Sequence, residues 1–218
     1  MFKNLNITRF VYAVVILSAF FWYGLAFFSG KDISKLWDFV KLIPNVVTAD
    51  LVALFVFTKW GWKWRIFRKW LVPFPDLNGT WKGQINTTWV DPKTDKRPAP
   101  IPVILTIKQS FTNVSCVMRT AEMTSYSYAE DFKLDNEKQI KQLVYSYTSM
   151  PNVKVTERSP AHNGTIILDM MGTPVKKLKG YYWTARKTTG EVELTFWKKV
   201  LLDELPNNLK EHPMSDAG

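Results

Sequence analysis

From Phe10 to Gly30 the chain carries no charged residue; it reads Phe-Val-Tyr-Ala-Val-Val-Ile-Leu-Ser-Ala-Phe-Phe-Trp-Tyr-Gly-Leu-Ala-Phe-Phe-Ser-Gly. A bilayer core about 30 Å thick takes roughly 20 apolar residues of helix. In lipid such a segment must be helical, because it has to satisfy every backbone polar group within itself. A secretory leader is the competing reading. Its apolar core runs about 7–15 residues and ends at a small-residue cleavage site. This run is longer, and Phe27, Phe28 and Ser29 fit such a site poorly. A transmembrane helix over about 10–29 is therefore expected, and all that follows has to be placed relative to a bilayer.

A second apolar stretch runs from Leu42 to Thr58, short for a span and containing Pro44 and Asp50. Trp37 and Phe39 before it, and Trp60 and Trp62 after it, supply the aromatic belt of two interfaces. It is read as a second transmembrane helix over about 42–59. The link between the spans holds Lys31, Lys35 and Lys41 against Asp32 and Asp38; the far side holds Lys59, Lys63, Arg65, Arg68 and Lys69. Cytoplasmic flanks carry the excess of Lys and Arg. Residues from 59 onward are thus expected in the cytoplasm, and two spans return the N-terminus there too, in keeping with Lys3 and Arg9. The expected location is the bacterial cell inner membrane, multi-pass, with both termini cytoplasmic.

Asp50 is the one ionisable residue near the middle of a span. A carboxyl there is costly unless paired, which makes it a candidate for membrane function. It either helps helices associate or lines a watery path, or it reaches an interface or a neighbouring hydroxyl such as Thr48. The stretch Trp60-Gly61-Trp62-Lys63-Trp64-Arg65-Ile66-Phe67-Arg68-Lys69-Trp70 alternates aromatic and basic residues. Directly after a span this pattern suits a juxtamembrane helix over 60–72 in the headgroup layer, with inner-membrane lipid as its partner rather than a DNA or RNA polymer. The membrane region is thus 1–75, closed by Pro73 and Pro75.

From Leu77 helical periodicity gives way to strand signals. Runs at 79–90, 101–110, 114–120, 125–134, 139–149, 165–171, 180–187 and 191–199 are separated by turns rich in Pro, Gly, Asn and Asp. Asn163-Gly164 is read as the end of a loop and Thr188-Thr189-Gly190 as a tight hairpin. About eight strands with no helix between them argue an antiparallel up-and-down β-barrel, which removes its sheet edges by closing. The fold class is membrane α plus all-β: two N-terminal transmembrane helices, then a cytoplasmic barrel over 76–200. Residues 201–218 form a polar tail with little to bury.

Catalysis has little support. His162 lies in a Pro- and Asn-rich loop and His212 in the tail, neither beside a nucleophile. Cys116 is the only cysteine, so no intramolecular disulfide forms, and no zinc spacing, phosphate-cradling loop or cofactor motif is present. Not an enzyme but a binding protein is expected, and a net charge of +10 favours an anionic ligand or surface. Alternation gives Tyr126 and Tyr128 one face, Tyr145 and Tyr147 one face, and Tyr182 one face with Arg186, while Arg119 lies opposite Met118 and Thr120. If these tyrosines and arginines point inward, the lumen offers stacking surfaces for bases and cations for phosphates. If they point outward they are ordinary strand residues. The pattern alone leaves the two faces open.

The segment Pro75-Asp76-Leu77-Asn78-Gly79-Thr80-Trp81-Lys82-Gly83, opening the first strand after two spans, resembles a known family. These are bacterial antiphage effectors of cyclic-oligonucleotide-based signalling (CBASS) operons, SMODS-associated, with two transmembrane helices and a β-barrel that recognises a cyclic nucleotide. The likeness covers nearly the whole chain. Gly-x-Trp itself is shared with lipocalin-type barrels, where it closes one end. The resemblance implies that a cognate nucleotidyltransferase makes a cyclic dinucleotide, the barrel binds it, and the protein forms a homo-oligomer in the inner membrane. Membrane disruption then brings abortive infection. It assigns no individual ligand contact. The alternative is a membrane-anchored, lipocalin-like barrel for an apolar or lipid ligand, with a lumen of Ile, Leu, Met and Phe in place of cations.

Overall fold

The computed structural model describes residues 4–32, 34–92, 94–209 and 213, residue 208 in backbone only. Lys3 and His212, named above, lie outside them. The chain divides into two compact units, one reaching Phe74 and including the short segment Ser110–Thr112, the other running from Pro75 onward.

The first unit is a helical hairpin. Helix α1 spans Ile7–Ser29; the Asn6 side chain caps it by accepting from the Arg9 N–H, and Gly30 ends it in the left-handed conformation at φ 62°. Helix α2 spans Leu36–Lys59, so it begins six residues before the expected Leu42. Asp38 sits in its first turn, where a carboxylate complements the helix dipole. Pro44 falls inside the helix, where its missing N–H leaves the Val40 carbonyl without a helical donor. Both helices are long and apolar enough to cross a membrane. They pack through Ala26, Leu42 and Val46, flanked by Phe21, Trp22 and Leu25. Trp22 of α1 stacks on Phe39 of α2 with ring centroids 4.0 Å apart. Asp50 Oδ2 accepts from Ser18 Oγ on α1 at 2.7 Å. It does not turn to Thr48, whose hydroxyl donates to the Pro44 carbonyl at 2.8 Å.

The stretch expected as a juxtamembrane helix is instead two 3₁₀ turns, Gly61–Lys63 and Arg65–Phe67. Alternation of aromatic and basic residues has a period near two, so no α-helical face collects the aromatics. The turns bury Trp62 to 2% exposure, tilted against Phe74 at 5.9 Å, and leave Trp60, Trp64 and Trp70 outside.

The second unit is a closed antiparallel barrel of eight strands in sequence order, β1 Gly79–Thr87, β2 Ile101–Gln109, β3 Val114–Arg119, β4 Met123–Asp135, β5 Ile140–Pro151, β6 His162–Met171, β7 Lys177–Thr184 and β8 Thr189–Lys198. β8 pairs back with β1, so no sheet edge remains. Register sets the two faces: Trp81 lies opposite Leu105 and Phe196, and Gly83 opposite Val103 and Leu194. Trp81, Leu105, Phe132, Leu143, Leu168, Leu178 and Leu194 fill the end of the barrel where β1 begins, all at 1% exposure or less. Each such side chain contributes about 1.5–3 kcal/mol by leaving water.

The Leu-Asn-Gly-Thr-Trp motif builds that closed end. Leu77 is buried at 1%, and its carbonyl accepts from Trp81 Nε1 at 3.0 Å. The Asn78 amide pairs with the backbone of Gln109 in both directions at 2.8 Å. The Gln109 side chain returns to Leu77 N–H at 2.8 Å and the Pro75 carbonyl at 3.0 Å. Thr80 Oγ1 faces outward and donates to the Val200 carbonyl at 2.7 Å.

Thr80 thereby starts a strap rather than a loose tail. Leu202 N–H donates to Thr80 Oγ1 at 3.0 Å, and Thr106 Oγ1 donates to the Leu202 carbonyl at 2.8 Å. Leu205 and Leu209 then cover Ile104, an outward-facing β2 residue at 0% exposure. The tail expected to bury little does bury three aliphatic side chains, because β2 presents isoleucine on its outer face too. Removing residues from Leu201 onward is expected to destabilise the barrel by about 2–4 kcal/mol, the range for a lost aliphatic contact plus unpaired hydroxyls. The check is the urea midpoint of the truncated and full chains in the same detergent.

Candidate functional site

The barrel is filled at one end and hollow at the other. In a meander every second connection lies at the same end. Here the 88–100 loop, the 120–122 turn, the 152–161 segment and the 185–188 turn all ring the open mouth. Inside it is a cavity of about 390 Å³. Its lining combines apolar Ile85, Ile101, Met118, Ile166 and Val192 with Tyr147, Tyr182, His162, Arg158 and Arg186.

Two tyrosines lie flat against the wall because glycines stand across from them. Tyr147 on β5 is paired with Gly164 on β6, and Tyr182 on β7 with Gly190 on β8. A β-carbon at Gly164 would meet the Tyr147 ring at 2.6 Å, and one at Gly190 would meet the Tyr182 ring at 2.6 Å. Both glycines therefore belong to strands, not to the loop end and hairpin turn expected from their sequence neighbourhoods. β6 accordingly starts at His162 and β8 at Thr189. Burial pushes both phenols up, most for Tyr147, where Tyr182 adds to the rise and Arg186 opposes it. They remain neutral, polarisable faces with a hydroxyl each.

Arg186 follows β7 in the turn to β8. Its Nη1 donates to Ser159 Oγ at 3.0 Å, with the Pro160 carbonyl at 3.5 Å. Burial lowers its affinity for the proton, opposed by Tyr147 and Tyr182; a guanidinium nevertheless stays charged. Burial also holds the His162 imidazole below its ordinary value, the Pro160 carbonyl opposes this, and Arg186 adds to it. His162 Nδ1 lies 3.1 Å from that carbonyl. Arg158 is paired with Glu122 of the neighbouring 120–122 turn. The arrangement offers an apolar slot, two aromatic faces and two guanidiniums, which suits a planar anionic ligand.

Of the residues singled out in the sequence, the structure brings Tyr147, Tyr182 and Arg186 together at the cavity. Tyr145 shares their inward face but is buried at 2% below the wall, its hydroxyl without a hydrogen-bond partner among the described residues. Arg119, Tyr126 and Tyr128 do not reach the cavity. The β3–β4 register turns Met118 and Ser125 inward, so Arg119 and Tyr126 face outward. Arg119 Nη1 donates to the Leu202 carbonyl of the strap at 3.4 Å. Tyr126 and Tyr128 are 51% and 61% exposed, Tyr128 being extruded where the ladder shifts between Ser127 and Ala129. Asp50 belongs to the helical unit. Glu122 and Arg158 went unnoticed in the sequence because loops carry no periodicity. The available signal was topological: in a meander the loops holding Glu122, Arg158 and Arg186 meet at one end, beside the start of β6 at His162.

Among the described residues no group of His, Cys, Asp and Glu is placed to hold a metal ion. Cys116 is fully buried, and burial pushes its thiol up, away from the reactive thiolate.

The family model described as "Cap15, cyclic dinucleotide receptor domain" matches residues 72–196, which spans the barrel from before β1 into β8. The chain is also similar to CD-NTase-associated protein 15 of Staphylococcus schleiferi, with 28% identity over 155 residues, 71% of this chain and 79% of that protein. Two apolar helices, a closed eight-stranded barrel and this match agree with one another, and the chain belongs to the Cap15 family of CBASS effectors.

Proposed function

We propose that the open cavity of the barrel binds a cyclic dinucleotide made by a cognate nucleotidyltransferase, and that binding drives assembly in the bacterial inner membrane and disrupts it. The observation that carries the binding half is the joint presence of Tyr147, Tyr182 and Arg186 around one partly apolar cavity. Bases stack on the tyrosine faces and on the aliphatic lining; the phosphodiesters meet the guanidinium. The apolar lining taken alone would suit a lipid, the second reading. The guanidiniums are what favour the nucleotide.

Assembly requires that the ligand favour one state over another, since equal affinity for both shifts nothing. The Asp50–Ser18 hydrogen bond supports a role for the helical hairpin: it ties α1 to α2 at mid-span. Such bonds between membrane helices are worth about 0.6–2 kcal/mol. One carboxylate oxygen of Asp50 stays buried without a partner among the described residues, which suits it to a second donor in an assembled state.

Binding is tested with the full chain in detergent against a radiolabelled panel of cyclic di- and trinucleotides. Tight binding of one member is expected; no binding by folded protein across the panel would turn the reading toward a lipid carrier, checked by extracting what co-purifies. Tyr147→Ala and Arg186→Gln are each expected to weaken binding roughly 10- to 100-fold, the scale of one stacking or one charge-assisted contact. Tyr126→Ala, on the outer face, is expected to leave affinity unchanged.

The membrane half is tested by dye release from phosphatidylethanolamine–phosphatidylglycerol vesicles. Asp50→Leu is expected to cut ligand-triggered release at least tenfold with affinity unaltered, and Asp50→Asn, which keeps a hydrogen-bonding group, less. Release unchanged in Asp50→Leu would remove Asp50 from the mechanism.

Acidity offers a third check. Burial keeps the pKa of His162 below 6.5 in the folded, ligand-free protein, so the ring is neutral at pH 7. A bound anion stabilises the imidazolium and raises that pKa, against the opposing charge of Arg186. Binding then takes up protons, and affinity rises as pH falls through the pKa of the bound state toward the lower pKa of the free one. His162→Gln is expected to flatten the slope, measured by titration at pH 7.5 and 5.5.

A further inference from the structure

Both guanidiniums that line the cavity are engaged by the protein itself. Arg158 sits in the 152–161 segment and pairs with Glu122 in the β3–β4 turn. Arg186 reaches the same segment from the opposite side, at Ser159 Oγ and the Pro160 carbonyl. The segment is otherwise joined to the 120–122 turn by Asn152, whose N–H donates to the Glu122 carbonyl and whose side chain donates to the Ala121 carbonyl, both at 2.8 Å. Beyond Asn152 it has no ladder, only the short 3₁₀ turn Val153–Val155, with Val153 93% exposed. The cavity beneath, about 390 Å³, lies near the bottom of the ~300–1,000 Å³ of drug-sized ligand sites. A ring of two nucleotides is larger than such ligands, and this segment is tied to the rest of the rim through Asn152, Arg158 and Ser159.

The ion pair has a direction built into it. The Glu122 side chain is 13% exposed and that of Arg158 36%, so the carboxylate is the more buried partner. A phosphodiester brought to Arg158 lies beside that carboxylate and is repelled by it. It also offers the guanidinium fork two oxygens for a bidentate contact. Resting on the cyclic-dinucleotide reading above, we propose that Arg158 is a second phosphate-binding residue of the cavity and Glu122 its built-in competitor. Ligand takes the guanidinium from Glu122, and the 152–161 segment moves off the mouth with it. Glu122 thus sets the affinity threshold: weak or monoanionic ligands do not displace it, whereas a ligand with two phosphodiesters, engaging Arg158 and Arg186 together, does.

The test is equilibrium binding by the full chain in detergent to radiolabelled cyclic dinucleotides built from the four ribonucleotides, with wild type, Glu122→Gln, Arg158→Gln and the double variant, each checked by thermal melting. Glu122→Gln is expected to tighten binding about three- to tenfold and to speed hydrogen exchange at amides 153–159 without ligand. Arg158→Gln is expected to weaken binding at least tenfold, and Arg158→Lys by less. The double variant is expected to match Arg158→Gln, because the effect of Glu122 runs through Arg158. Unchanged or weaker binding in Glu122→Gln overturns the proposal, as does tightening that persists in the Arg158→Gln background. If wild type binds none of the panel, the cyclic-dinucleotide reading falls and this inference with it; if wild type binds and only the Glu122 and Arg158 pattern is missing, the inference alone falls.

Discussion

Pairing of β8 with β1 is the constraint from which the working features of the barrel follow. A sheet that closes has no unpaired backbone edge, and it also has only two ends. One end is stoppered by Trp81 and a layer of leucines, with Leu77 and the Asn78–Gln109 pairing beneath it. The other cannot be stoppered in the same way, because Gly164 and Gly190 stand where large inward side chains would be needed. Their partners Tyr147 and Tyr182 lie over them instead of across the lumen. A cavity is what remains. The same closure brings four separate connections to one rim, and with them Glu122, Arg158, His162 and Arg186.

The chemistry of that rim is one of exchange. The two guanidiniums that line the cavity, Arg158 and Arg186, are occupied by Glu122, Ser159 and Pro160, so an anionic ligand that reaches them replaces contacts already made. This lowers affinity and couples recognition to movement of the segment that supplies those contacts, since a ligand shifts an equilibrium only by its preference for one state. The helical hairpin follows the same logic at lower polarity. One carboxylate–hydroxyl bond, Asp50 to Ser18, stands amid apolar packing by Ala26, Leu42 and Val46. In lipid, where apolar packing has no hydrophobic drive behind it, such a polar contact orders the two helices.

Much of this was legible in the amino-acid sequence by itself. An uncharged run such as Phe10–Gly30 has few alternatives to a helix, because lipid leaves the backbone no other donor or acceptor. Eight short runs with turns between them and no helix likewise leave little besides an antiparallel meander, and Leu77-Asn78-Gly79-Thr80-Trp81 marked where it opens. Those features are local, written in periodicity, length and turn chemistry. What only the tertiary structure decided is everything that depends on register. Alternation places Arg119 and Tyr182 each on some face of its strand, but which face is the lumen is set by pairing: Met118 opposite Leu105 and Ser125 turns Arg119 out, and a one-residue shift at Tyr128 takes a tyrosine out of the ladder. Gly164 and Gly190 resemble turn residues until the cross-strand tyrosine that fills their space is seen. The same holds for Ile104, which is core only because the chain returns 100 residues later to cover it with Leu205 and Leu209. Contacts between residues far apart in the chain have no local signature, and in this barrel they decide which side chains face the ligand.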